Sequence, residues 1–315
     1  MKKIIALLLT LMIAIGLCAC AGGDTNRPAS EKTPGSSGNN ATAPNGSETD
    51  PGGETAAPAT EKPQEQVAGS EGLDVTEYDE NCVIERIGTF SGEELVIPSH
   101  YNGKPVTSIY EDAISNNTMV SLFIPWTVIS IGEDAVSGSE KLEKVTFSEG
   151  LISIGEGTFG DCKAIKNVTL PSTLEFSGRS SFSGCSGLEE VVLLGNSSLE
   201  NYAFYNCDSL KKVTYTDKSG RSYSLKSSVF EDDSALEEIV FSEGLEAIGS
   251  FSCFGCTSLK TVYLPKTLKK VDARAFDNIG SLKVFYAGSE EDWNNINFAN
   301  GNDLLKNADI EYNHK

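Results

Sequence analysis

The most constraining feature of the chain is a string that recurs through most of its length. One copy runs Ile154-Gly155-Glu156-Gly157-Thr158-Phe159-Gly160-Asp161-Cys162 and continues through Ile165, Val168, Leu170 and Pro171. As a pattern it reads I-G-x-x-x-F-x-x-C-x-x-L-x-x-V-x-L-P. The phenylalanine position is filled in turn by Ile114, Val136, Phe159, Phe182, Phe204, Phe230, Cys253 and Phe276, at spacings of 22, 23, 23, 22, 26, 23 and 23 residues. A unit this short cannot bury its own apolar face. Copies must stack and share one continuous core, so the chain must build a solenoid.

Within each copy the pairs Val168/Leu170, Val191/Leu193, Val213/Tyr215, Ile239/Phe241 and Val262/Leu264 alternate with polar or small residues, the signature of a half-buried strand. A second short strand carries Leu151/Ile154, Leu245/Ile248 and Leu268/Val271. This period and composition predict a leucine-rich-repeat solenoid that is mainly β, with short parallel strands joined by turns or short helical connections and a cap at each end. Gly132, Gly155 and Gly249 suit a turn that needs either positive φ or close backbone approach. Pro125, Pro171 and Pro265 end strands where a missing N–H is harmless. Outside the strands, Lys166/Asn167, Glu189/Glu190, Lys211/Lys212, Glu237/Glu238 and Lys260/Thr261 place acid beside base on neighbouring rungs. Such pairs favour one stacking register, at about 0.2–1 kcal/mol each.

Eight cysteines raise the question of metal or disulfides. Cys162, Cys185, Cys207 and Cys256 share one repeat position, which predicts an interior column of small apolar thiols. Cys253-Phe254-Gly255-Cys256 has C-x-x-C spacing, but Cys253 occupies the phenylalanine position. No second pair or histidine cluster accompanies it, so no metal or cofactor is expected.

The ends of the chain have different chemistry. Residues 1–19 read as a lipoprotein signal peptide, with Lys2 and Lys3 before the apolar run Ile4–Leu17. Leu17-Cys18-Ala19-Cys20 resembles a lipobox, which makes Cys20 the lipidation site and the membrane anchor; an ordinary secretory cleavage is the alternative. Residues 20–72 read as the lipidated N-terminus followed by a disordered Gly/Pro/Ser/Thr-rich linker, which holds six of the eleven prolines. The folded domain is expected over 73–315: an N-terminal cap over 73–108, repeats over 109–282 and a C-terminal cap over 283–315. In the C-terminal cap, Ser289 is placed to N-cap a short helix with Asp292 at N3, and Trp293 and Ile296 to cover the last rung.

A formal charge of −20, from 45 acidic and 25 basic residues, argues against nucleic acid as a partner. Only two histidines are present, His100 and His314, and the chain has no G-x-S-x-G, P-loop or H-E-x-x-H string. The carboxylates fall at periodic outward positions. No catalytic residue is identified, and the expected protein is not an enzyme.

The full motif, A-F-x-x-C-x-x-L-x-x-V-x-L-P-x-x-L-x-x-I-G, resembles the leucine-rich repeat of BspA-like bacterial surface proteins. So do the segments 101–109 and 286–293, and the resemblance covers Val75 to Tyr312. It implies a cell-surface solenoid, in some members an adhesin for host matrix proteins or other bacteria, with no common catalytic residues. The chain departs from it at Cys253, at the missing cysteine of the Phe230 and Phe276 repeats, and at the long Phe204–Phe230 repeat.

The primary functional reading is a cell-surface lipoprotein that binds a protein ligand, on host matrix or another cell, through outward residues of the repeat. Thr146, Thr169, Val192, Thr214, Val240 and Tyr263 form the most regular face. The long repeat adds Tyr215, Lys218, Arg221 and Tyr223, residue types common at binding hot spots. One alternative is a glycan- or nutrient-binding lipoprotein using Trp126 and Tyr263. Another is a structural envelope spacer.

Overall fold

The computed structural model describes residues 65–315. The expected signal peptide, the expected lipidation site Cys20 and the expected linker up to residue 64 lie outside the described residues. Each rung contributes one strand to each of two β faces, and a tight pair of turns closes the third side. On the first face, Glu94–Val96, Ser121–Ile124 and Lys144–Phe147 form a three-stranded parallel sheet. Seven further strands, from Asn167–Leu170 to Asp309–Tyr312, continue that face in order. On the second face an eight-stranded sheet extends to Ser198–Leu199, and a four-stranded sheet runs from Tyr223–Leu225 to Asn297–Phe298. The discontinuity between these two sheets falls at the long repeat.

The alternation in the sequence explains the burial. In Asn167–Leu170, Val168 and Leu170 are buried while Asn167 and Thr169 are exposed. Pro125, Pro171 and Pro265 immediately follow strands that end at Ile124, Leu170 and Leu264. The connections within the repeats are turns. The described helices, Glu290–Asn294 and Asp303–Lys306, both belong to the C-terminal cap.

On the third side, each phenylalanine position is flanked two residues away on both sides by left-handed backbone. Gly157 and Asp161 bracket Phe159, and Ser180 and Gly184 bracket Phe182. This geometry favours Gly, Asn and Asp in those places. The glycines of the I-G pair have a different cause. Gly132, Gly155 and Gly249 keep ordinary φ, but a Cβ on Gly155 would sit 2.6 Å from the carbonyl carbon of Gly132. Of the two options open in the sequence, close approach is therefore the operative one.

The core is a column of stacked rings. Phe159, Phe182, Phe204 and Phe230 follow one another at centroid distances of 5.0, 5.1 and 5.9 Å, with interplanar angles of 16° or less. Beside them lies the thiol column. Cys162, Cys185, Cys207 and Cys256 are fully buried and unpaired by disulfides. Each thiol donates to the carbonyl at the phenylalanine position of the preceding rung: Val136 (3.4 Å), Phe159 (3.1 Å), Phe182 (3.3 Å) and Phe230 (3.0 Å). Cysteine suits this site because it is small, apolar and a weak donor. Burial pushes the Cys162 thiol up to about 12, so it stays protonated.

The caps close both ends. Residues 65–72, placed by the sequence in the linker, are attached to the N-terminal cap by hydrogen bonds at Val67, Ser70 and Gly72, the last accepting from the Thr89 N–H at 2.8 Å. Val67 and Ser99 exchange hydrogen bonds, and the Ser70 N–H donates to the Val96 carbonyl at 2.8 Å. At the other end Ser289 and Asp292 form the expected capping box. Ser289, followed by Lys266 at 3.1 Å, holds the Asp292 carboxyl down at about 2. Trp293 and Ile296 are buried, with the Trp293 ring 5.2 Å from both Tyr286 and Phe298.

Candidate functional site

The outward positions of the first face line up in one ladder. The register runs Thr169, Val192, Thr214, Val240, Tyr263, Phe285 and Glu311 across successive paired strands. Thr146 occupies the same position in the three-stranded sheet, opposite Phe123. Thr146, Thr169, Val192, Thr214 and Tyr263 thus share the face expected from the sequence. The ladder changes character along its length. Its middle rungs are small threonines and valines. Toward the C-terminal cap it becomes aromatic.

Tyr263 and Phe285 stack at 4.7 Å with an interplanar angle of 10°. The His314 ring tilts against both, at 5.4 and 4.7 Å, and Lys283 Nζ lies 4.5 Å from the Phe285 ring centre. Phe285 is thus contacted within the protein by Tyr263, His314 and Lys283. Beside these rings is a cavity of about 500 Å³, lined by Lys218, Val240, Tyr263, Pro265, Phe285 and His314 among others. Val240 is half-buried on the rung between Thr214 and Tyr263, so the ladder steps from small to aromatic residues after it.

The long repeat forms one wall. Thr216 N–H donates to the Leu193 carbonyl at 2.9 Å, which anchors the start of the insertion. Asp217 then accepts from the Ser219 N–H (2.8 Å) and hydroxyl (2.6 Å), folding the loop on itself. The Ser219 hydroxyl is also the main cause that holds the Asp217 carboxyl below its usual range. Asp217 and Glu243 provide negative charge at the rim, and Lys218 and Lys315 positive charge. The groove is thus apolar inside and charge-balanced at the edge.

The other residues singled out in the loop do not converge on it. Tyr215 and Tyr223 are each only 3% exposed, and their rings stack on one another at 4.9 Å. Tyr215 sits at the inward position of its strand, two residues after Val213, so register turns it into the core. It borders the groove from the buried side. Tyr223 begins the next strand of the second face, and its hydroxyl donates to the Ser242 carbonyl at 3.3 Å. Both tyrosines are packing residues, a correction to the expected surface role. Arg221 is exposed but does not line the groove; its backbone carbonyl accepts from Asn196 Nδ2 at 2.7 Å.

Phe285 and His314 were missed from the sequence. Lys283-Val284-Phe285-Tyr286 repeats the pattern of Lys212-Val213-Thr214-Tyr215, so one more step of the register would have found Phe285. His314 carries no such signal. Trp126 is half-buried, 6.0 Å from the His100 ring, and far along the ladder from Tyr263. Among the described residues no group of three His, Cys, Asp or Glu side chains is arranged to hold a metal ion.

Six copies of the BspA type leucine-rich-repeat model match the chain, over residues 107–223 and 223–315. The chain belongs to the BspA-type leucine-rich-repeat family. Its BspA-type solenoid is similar to the crystal structure of a leucine-rich-repeat protein from T. pallidum, with 25% identity and a TM-score of 0.53, over 60% of this chain and 89% of that one. A leucine-rich-repeat protein from Eubacterium ventriosum matches with 20% identity and a TM-score of 0.49, over 59% of each chain. No curated protein matches the sequence. As a BspA-type solenoid, the chain has the architecture of a protein-interaction scaffold.

Proposed function

We propose that the protein is a non-enzymatic, lipid-anchored cell-surface protein whose solenoid holds a protein partner in the groove over the C-terminal rungs. The observation that carries this reading is the ladder itself. Two successive outward residues, Tyr263 and Phe285, are aromatic where the long repeat folds a wall beside them. An apolar cleft of this size with a polar rim suits an apolar anchor side chain of a protein partner, ringed by weaker polar contacts.

The glycan reading fits less well. Stacking on a sugar needs an open ring face. Phe285 already has Tyr263 stacked on it, and His314 and Lys283 lie within 4.7 Å of its ring centre. The anchor at Cys20 and the linker after it belong to this proposal as the parts that tether the solenoid to the envelope and set it off from the membrane.

The test is a binding panel of host matrix proteins, mucin and envelope glycans, read with the wild-type chain and Tyr263→Ala. Capture of a matrix protein that weakens in the variant supports the reading. Capture of sugars alone, or of a protein with equal affinity by both chains, overturns the assignment of the groove. For the anchor, Cys20→Ala is expected to release the protein from membranes or leave it unprocessed. Unchanged membrane retention overturns lipidation at that residue.

A further inference from the structure

The thiol column contains one anomaly. Three residues after the repeat phenylalanine, successive rungs carry Ser139, Cys162, Cys185, Cys207, Asp233 and Cys256. Every other member of this series donates to the carbonyl at the phenylalanine position of the rung before. Ser139 follows the rule too, with its hydroxyl on the Ile114 carbonyl at 3.4 Å. Asp233 stands in the same column at 0% exposure. An ionised carboxylate has no proton to donate.

Its surroundings have adjusted. Asp233 Oδ1 accepts the Cys207 N–H at 2.7 Å. In the other cysteine rungs that N–H goes to the carbonyl three residues earlier, at Phe159, Phe182 and Cys253, each at 3.3 Å. The Phe204 carbonyl is thereby released from its usual donor. Asp233 Oδ2 is buried and has no hydrogen-bond partner among the described residues. We propose that Asp233 is a neutral carboxylic acid that clasps the two ends of the long repeat. Its Oδ1 accepts from Cys207, its protonated Oδ2 donates to the Phe204 carbonyl, and the clasp weakens as pH rises.

Among the described residues, no cation is found among the groups that act on Asp233. The titratable groups that act on Asp233 are the Cys256 thiol from the following rung, Cys207 and Asp208 from the preceding one, and Asp232 beside it. Burial is the main cause that raises the carboxyl well above its ordinary range; Cys256, Asp208 and Asp232 add to it, and only the Cys207 N–H opposes. A bare carboxylate in this setting would carry a desolvation penalty with nothing to repay it. The clasp joins residues 26 apart and so closes the rung that holds the groove wall. It stands whether or not the groove binds a partner.

The direction of the pH effect follows from linkage. The folded carboxyl titrates above the unfolded one, so the folded state holds the extra proton. The stability from this group is complete below the unfolded pKa and is lost as pH rises toward the folded value. Asp233→Asn keeps an acceptor for Cys207 and gains a permanent donor for Phe204. Comparing unfolding of wild type and Asp233→Asn from about pH 5 to about pH 8 should show wild type losing ground by up to tenfold per pH unit in the unfolding constant. A difference that stays constant with pH overturns the proposal. Infrared difference spectra of wild type against Asp233→Asn at neutral pH add a second readout. They should show the carbonyl stretch of one protonated carboxylic acid, and its absence overturns the proposal as well. If Asp233→Asn does not fold, the same band is sought in wild type alone.

Discussion

The two halves of the first face share a backbone and differ in what they present. From Thr146 to Thr214 the ladder is a strip of small residues over a core of stacked phenylalanines. From Val240 to Phe285 it carries rings, while the core beneath loses one, because Cys253 interrupts the phenylalanine column. The first half is uniform inside and plain outside. The second half is irregular inside and shaped outside. The strand register is the same in both, so the groove depends on side chains and on one insertion.

The comparison can be broken by substitution, starting inside the plain half. Phe159→Ala is expected to destabilise the solenoid by about 3–5 kcal/mol, because the ring is fully buried between Phe147 and Phe182. A thermal or denaturant midpoint that barely moves would contradict the stacked core. The outer faces should then separate cleanly. Tyr263→Ala should weaken an identified partner by about 2 kcal/mol or more, and Thr169→Ala by less than about 0.5 kcal/mol, in equilibrium binding. Equal losses would make the whole ladder the binding face.

Deleting Lys218 to Arg221 should lower partner affinity by a smaller margin, about 1 kcal/mol. The fold should persist, because the strands on either side keep their own pairing. A cooperative loss of structure would mean that the loop holds the rung together. The smallest effect belongs to the charged rows. Lys211 pairs with Glu189 and Lys260 with Glu237, each at 2.8 Å and exposed. Lys211→Ala should change stability by less than about 1 kcal/mol, and added salt should erase the difference.

Most of the scaffold was legible before the structure. Repeat spacing gave the rungs. The position of Cys162, Cys185, Cys207 and Cys256 gave the interior column, and alternation gave the inward and outward sets. What the alternation could not supply was the groove, which arises from contacts between distant parts of the chain. Lys218 approaches the rings only because Asp217 and Ser219 fold the insertion back. His314 reaches them only because the last strand pairs with Lys283–Tyr286. Tyr215 and Tyr223 were misplaced for a different reason. They were judged by residue type, although the parity of Val213 already assigned Tyr215 to the interior. Asp233 was passed over as a missing cysteine, although a carboxylate at a donor position is itself a signal.

The close approach of Gly132, Gly155 and their neighbours has a consequence for how such a molecule changes over time. Because each rung seats on the last through bare backbone, about 4.8 Å apart, rungs behave as interchangeable courses in a wall. Whole courses can be added or removed without disturbing the seating, whereas added residues must bulge out at a corner. The Thr216–Ser222 insertion is one such bulge. Its address along the stack is set by which course carries it, so relocating those residues to another course should relocate the recess with them.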